Sequence, residues 1–94
     1  MRFIALMADY HAFPLWERSP GAPSGDIDPD TLPLGEALIA DVKDWGRQFS
    51  DPGFPQSEDA EAAWVNRGRQ LCRRLQGELG TEFDVSYEED RSTS

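Results

Sequence analysis

The chain has 94 residues, with 18 acidic and 9 basic side chains and a formal net charge of −9 at pH 7. We expect this length to form a single domain, and the negative charge disfavours binding to nucleic acid or to anionic membranes. One cysteine and one histidine exclude an internal disulfide and a Cys/His zinc site within one chain. No stretch approaches the roughly 18 apolar residues of a membrane-spanning helix, so the composition favours a cytoplasmic protein without metal or cofactor.

The negative charge is concentrated between Asp9 and Glu61, where twelve acidic residues accompany three basic ones. A surface of this kind attracts basic proteins and cations. We therefore predict a basic protein partner for the chain.

The N-terminal segment predicts a strand. Residues Phe3 to Ala8 are apolar on both alternating sides, which is typical of a strand that is central or covered on both faces. Tyr10–Glu17 continues extended, with Pro14 limiting it to a sheet edge or a bulge. Residues 18–33 form an acidic, Pro/Gly-rich loop, for which we predict no regular structure.

Two amphipathic helices follow. The first is predicted to begin near Leu34 and to end before the Pro/Gly-rich run that starts at Ser50. The second begins with Ser57 as its N-cap and ends at Gly80. The residues expected on their apolar stripes are Leu34, Leu38, Val42, Trp45 and Phe49 in the first helix, and Ala60, Trp64, Gly68, Leu71, Leu75 and Leu79 in the second.

The last predicted element is a half-exposed strand, since Phe83, Val85 and Tyr87 alternate with polar residues. The order is β, long loop, α, α, β. It predicts an α+β class, a two-layer domain over residues 1–88 with both helices on one face of a two- or three-stranded sheet. Residues 89–94 are polar, and we predict a disordered tail.

The acidic triplet Asp26, Asp28 and Asp30 has the spacing of the first ligands in a calcium loop. The sixth and twelfth positions of such a loop require Gly and Glu, but they hold Thr31 and Ala37. The spacing therefore favours side chains that cap their own turns, with an acidic contact surface as the alternative.

The cluster around Trp16 is the most suggestive of a binding site. An aromatic side chain beside carboxylates such as Glu17 is the composition of an interface hot spot with an acidic rim. The alternative is that Trp16 pins the loop onto the helices.

Asp9 and His11 alternate to the same side of the chain, and His11 is the single histidine. Catalysis needs a nucleophile and an oxyanion hole in addition, and no motif supplies them. We therefore predict that the protein is not an enzyme.

Cys72 lies near the edge of the second helix's apolar stripe, which favours a buried thiol.

The second helix carries four arginines, Arg67, Arg69, Arg73 and Arg74. Within a chain of net charge −9 they do not amount to a nucleic-acid site. They are expected to be solvated, to pair with carboxylates of the loop or of the last strand, or to form the rim of an interface.

Two stretches of sequence carry a resemblance. These are MADYHAFPLWE with the later IDPDTLPL, and EAAWVNRGRQLCRRLQGELG followed by an acidic strand. They are similar to segments of small, acidic, uncharacterised actinobacterial proteins. In size and acidity such proteins resemble the immunity partners of secreted bacterial toxins.

The leading hypothesis is an immunity- or antitoxin-like inhibitor of a basic protein partner, for which a toxin domain is one candidate, steered to that partner by charge. The predicted partner-binding residues are Tyr10, His11, Trp16, Glu17, Asp26, Asp28 and Asp30. The alternative is a small structural or regulatory subunit that self-associates through a sheet edge. Both a monomer and a homodimer are compatible with the sequence.

Overall fold

The computed structural model describes residues 1–9, 12–23 and 25–88. In chain order its elements are β1 (Arg2–Leu6), β2 (Leu15–Glu17), β3 (Gly25–Ile27), a 3-10 helix (Pro29–Thr31), α1 (Glu36–Phe49), α2 (Glu58–Leu79) and β4 (Phe83–Tyr87). The strands form one sheet in the order β3-β2-β1-β4. β1 pairs antiparallel with β2 and parallel with β4, and β2 pairs antiparallel with β3.

The α+β class is confirmed, but the sheet has four strands instead of two or three. The additional strand, β3, lies in the acidic loop that we predicted to be irregular, and so does the 3-10 helix. Strand β3 is only three residues long and lies at the sheet edge, where neighbouring prolines remove no ladder hydrogen bond. Such a strand has no sequence periodicity long enough to detect.

Both helices follow their predicted apolar stripes. In α1, Leu38, Val42 and Trp45 are fully buried. The helix begins at Glu36 instead of near Leu34, because Gly35 is still extended.

The predicted ends of α2 are confirmed. The Ser57 hydroxyl accepts the Ala60 N–H at 3.0 Å as an N-cap, and Gly80 ends the helix with φ +83°. A positive φ of this size costs a residue with a side chain more than it costs glycine.

The core lies between the helices and one side of the sheet. Ile4 and Leu6 of β1 are buried there, opposite Glu17 and Leu15 of β2, and they pack with the apolar residues of both helices. Because successive side chains of a strand point to opposite sides, the other side of the sheet carries Phe3 and Ala5. Both helices therefore cover the same face, as predicted.

Gly68 sets how closely α2 approaches the core. A Cβ at this position would lie 2.7 Å from atoms of both Trp45 and Tyr87. Two aromatic side chains thus occupy the space that any other residue would need. Glycine here has a packing role, although it is the least favourable non-proline residue in a helix interior.

The edge of β4 is occupied by the side chain of Gln76 from α2. Its Oε1 accepts the Val85 N–H at 2.9 Å, and its Nε2 donates to the carbonyl of Phe83 at 2.7 Å. The same nitrogen donates to the carbonyl of Gly80 at 3.0 Å. The Gln76 amide takes the place of a neighbouring strand, so this stretch of edge is not open to pairing with another chain.

Candidate functional site

The side of the sheet away from the helices is the candidate site, and we call it the outer face. Its residues are Phe3, Ala5, Trp16, Arg18, Asp26, Asp84, Ser86 and Glu88, as strand alternation and the pairing register place them. Among the described residues no helix packs on it. It carries Trp16 and Asp26, two of the residues that the sequence predicted to bind a partner.

Trp16 lies at the centre of the outer face. It pairs with Ala5 on one side and with Asp26 on the other. Its indole Nε1–H donates to the carbonyl of Met7, the residue directly after β1, at 2.9 Å. Ala5 is completely buried although it is on the side without helices. Trp16 is thus fixed to the sheet and does not pin the loop to the helices, contrary to the alternative reading.

An ion pair crosses the same face. The Arg18 Nε and Nη2 donate to the two carboxylate oxygens of Glu88 at 3.1 and 2.9 Å, and the guanidinium lies 5.9 Å from the centre of the Trp16 ring. The two residues are 70 positions apart in the chain. The hydrogen bonds that Arg18 donates to the Glu88 carboxylate lower the pKa of Glu88 and raise the pKa of Arg18.

Glu17 is on the other side of the sheet from Trp16. It lies opposite Ile4, and its carboxylate accepts from the Arg2 guanidinium at 2.6 Å and from the Ser19 hydroxyl. The hydrogen bond from Arg2, followed by that from Ser19, lowers its pKa. Glu17 and Trp16 therefore do not lie on the same side of the sheet, because adjacent residues of a strand point in opposite directions. A role for Glu17 in binding a partner stays a prediction.

The three aspartates serve three different local contacts. Asp28 caps the 3-10 helix by accepting the Asp30 N–H at 3.0 Å, which confirms the turn-capping interpretation for this residue. Asp30 accepts from Lys43 of α1 at 3.1 Å. Asp26 accepts the Phe13 N–H at 3.0 Å and remains exposed opposite Trp16. Of the triplet, the pairing register brings Asp26 alone next to Trp16.

The predicted residues Tyr10 and His11 lie outside the described residues. The nearby residue Phe13 is 37% exposed. It lines a cleft of about 440 Å³ between the β2–β3 edge and α1, together with Pro14, Asp26, Lys43 and Arg47. Sequence reasoning did not predict this cleft. The one indication of this cleft in the sequence was an aromatic residue, Phe13, directly before a proline.

Comparison with protein families shows which family the chain belongs to. The model of the Serratia CdiI immunity protein-like family matches residues 2–90. The chain belongs to this family. The match spans every strand and both helices, so it covers the fold as a whole. A search of the curated proteins gives no significant match.

Family membership confirms the immunity-protein-like character that size and acidity predicted, and it does not identify which residues contact a partner. Within the described residues, no helix is both long enough and apolar enough to span a membrane. The same residues contain no group of three or more His, Cys, Asp or Glu side chains arranged to hold a metal ion.

Two arginines of α2 in this CdiI-like chain form ion pairs with α1 instead of with the loop or the last strand. Arg67 and Arg74 of α2 bridge to Asp44 and Asp41 of α1 at 3.3 and 2.8 Å. The expectation of partners in the loop or the last strand is wrong for these two residues. Their bridges join helix to helix, and the carboxylate of Asp26 on the outer face is not neutralised by them.

Cys72 is buried in the core, as predicted. Burial raises the pKa of its thiol to about 12 because the thiolate is poorly solvated there. Its role in this family member is packing, and the outer face remains the best candidate for function.

Proposed function

We propose that the protein is an immunity protein that binds a bacterial toxin domain in the cytoplasm and neutralises it without catalysing a reaction. The observation that carries this proposal is the family match over residues 2–90. An inhibitor of this kind needs an exposed recognition surface, and the side of the sheet away from the helices supports the proposal because no helix among the described residues packs on it.

We assign recognition to the outer face. It carries a partly buried tryptophan, Trp16, next to the exposed Asp26, and Phe3 is 36% exposed beside them. Tryptophan is the residue most enriched among the side chains that dominate binding energy at interfaces. A rigid indole held by its hydrogen bond to Met7 loses little conformational freedom on binding.

The charge of the chain supports a basic toxin. A net charge of −9 increases the rate of encounter with a cationic surface and lowers it with an anionic one. On the outer face, Asp26 and Asp84 are exposed carboxylates. They are the residues of this face from which we expect charge pairing with the toxin.

The test is capture followed by protection. The protein is used to isolate its partner from native lysate, and the captured toxin domain is then expressed with and without it. We expect growth to be rescued by the wild type and the association rate to fall with increasing salt. Growth that is equally impaired with and without the protein would contradict the immunity function.

The assignment of the surface has its own matched comparison. Trp16→Ala and Asp26→Asn, both on the outer face, are compared with Glu58→Gln and Asp59→Asn, which are exposed at the start of α2. We expect Trp16→Ala to weaken toxin binding by roughly 30-fold or more and Asp26→Asn to slow association. Loss of binding confined to the α2 variants would move the interface away from the sheet.

A further inference from the structure

On the outer face, Glu88 and Trp16 surround a guanidinium group as an arginine-binding site does. The Arg18 guanidinium donates two hydrogen bonds to Glu88 and lies over the indole of Trp16. A carboxylate that accepts two parallel N–H bonds, together with an aromatic ring face, is how proteins bind arginine side chains specifically.

The contact joins groups that remain partly open to water. The Arg18 and Glu88 side chains are 35% and 36% exposed. An ion pair of this exposure contributes little to the stability of a fold. Competing cations from another molecule therefore have access to Glu88 and Trp16, and Arg18 is held weakly enough to be displaced.

We propose that Trp16 and Glu88 form a binding site for an arginine side chain of the toxin, and that Arg18 occupies this site until the toxin displaces it. The proposal rests on the proposed function for the identity of the partner. The site itself is a property of this chain and can be tested without the partner.

The first experiment uses methylguanidinium as the probe. In Arg18→Ala, a saturable shift of the Trp16 indole N–H resonance is expected as methylguanidinium is added at constant ionic strength. Methylammonium, which has the same charge without the planar pair of donors, is expected to produce a much smaller shift. The wild type is expected to respond weakly because its own guanidinium fills the site.

Two variants make the result specific. Arg18→Ala combined with Glu88→Gln is expected to lose the response, since the charged acceptor is gone. Arg2→Ala is the matched control. The Arg2 guanidinium also forms an ion pair with a glutamate, Glu17, and lies over an aromatic ring, that of Phe83. Its removal is expected to leave the Trp16 resonance insensitive to methylguanidinium. Arg18→Gln repeats the test with a longer neutral side chain in case the alanine variant folds poorly.

The second experiment uses the toxin captured by the wild type. Arg18→Ala is expected to bind it about three- to tenfold more tightly, because a competing internal ligand of the strength of an exposed ion pair with a cation–π contact has been removed. Glu88→Gln is expected to bind it more weakly than the wild type.

Absence of a saturable methylguanidinium response in both Arg18 variants overturns the arginine site, even if the toxin is captured. A response that persists after Glu88→Gln overturns it as well. Failure to capture a toxin contradicts the proposed function alone, since the probe experiment is independent of it.

Discussion

The indole rings of Trp45 and Trp64 stack with centroids 4.4 Å apart and planes inclined by 2°. Each indole N–H donates to the backbone carbonyl of the other residue, at 2.9 Å from Trp45 to Trp64 and at 3.0 Å in return. The pair therefore joins α1 to α2 by a stack and two reciprocal hydrogen bonds. Phe49 and Phe54 extend this aromatic contact with Trp64 at 5.7 and 5.1 Å.

Replacing Trp64 by phenylalanine is expected to lower the free energy of unfolding by about 1–3 kcal/mol. The change reduces the stacked area and removes the indole N–H that Trp64 donates to the carbonyl of Trp45. Urea denaturation provides the measurement. Trp16→Phe is the comparison, because it removes one indole hydrogen bond on the outer face and no indole stack; a larger loss in Trp16→Phe than in Trp64→Phe would contradict the prediction.

Gly68→Ala is expected to destabilise the fold by about 1–3 kcal/mol, because the added methyl group overlaps Trp45 and Tyr87 and forces them apart. Gly77 is the matched position in the same helix, where a Cβ meets nothing within 4 Å. Gly77→Ala is expected to stabilise the fold by about 0.4–1 kcal/mol through helix propensity. Thermal and urea unfolding measure the change in the free energy of unfolding of both variants. Equal changes of the same sign would contradict the packing role of Gly68.

Gln76→Met removes the side-chain amide that occupies the edge of β4 and keeps a side chain of similar length. The Val85 N–H and the Phe83 carbonyl lose their partner, so we expect a loss of about 1–3 kcal/mol in stability and increased self-association through the exposed edge. Sedimentation velocity and urea unfolding measure the two effects. Gln70→Met, an exposed position of α2, serves as the control, and a monomer of unchanged stability in Gln76→Met would show that the amide is dispensable.

Stability is expected to fall in acid mainly because the ion pair of Glu17 is lost, with a smaller contribution from the more exposed pair of Glu88. Arg2 and Ser19 lower the pKa of Glu17, and Arg18 lowers the pKa of Glu88, from a reference value of 4.5. A carboxyl group whose pKa is lower in the folded state stabilises the fold above its unfolded pKa, and this contribution disappears as the pH falls through the folded pKa. Urea midpoints measured between pH 7 and pH 3 are expected to decline less below pH 4.5 in Glu17→Gln and Glu88→Gln than in the wild type.

The Cys72 thiol is expected to be inert in the folded protein. Its burial and its pKa of about 12 leave almost no thiolate at neutral pH. Iodoacetamide at pH 7.5, followed by mass spectrometry, is expected to label the thiol in urea and not in native buffer. Rapid labelling of the native protein would show that this part of the core opens frequently.

The long elements were predictable because their patterns are long. The stripe of α1 and the alternation of β4 repeat often enough to define a buried side, and Ser57 and Gly80 mark the ends of α2 by their local chemistry. Strand β3 was missed since three residues carry no period. Its existence depends on pairing with β2, which is a tertiary contact.

The candidate site was predicted only in part. Trp16 and Asp26 come together because β2 and β3 pair, and Asp28 caps its turn as its position before Pro29 suggested. The separation of Glu17 from Trp16 could have been predicted, since a strand places neighbouring residues on opposite sides of the sheet. The contact between Arg18 and Glu88 was beyond prediction, because no local pattern links residues that only the sheet brings together.

The parallel pairing of β1 with β4 has a consequence for synthesis. β1 is completed when Leu6 is added, but its parallel partner β4 ends at Tyr87, so the ladder between β1 and β4 forms only after Phe83–Tyr87 have emerged from the ribosome. Until then the apolar surface of β1 lacks its lasting cover, and folding depends on a contact between distant parts of the chain. On the function proposed above, protection of a cell would accordingly lag behind translation, which favours making this protein ahead of its toxin.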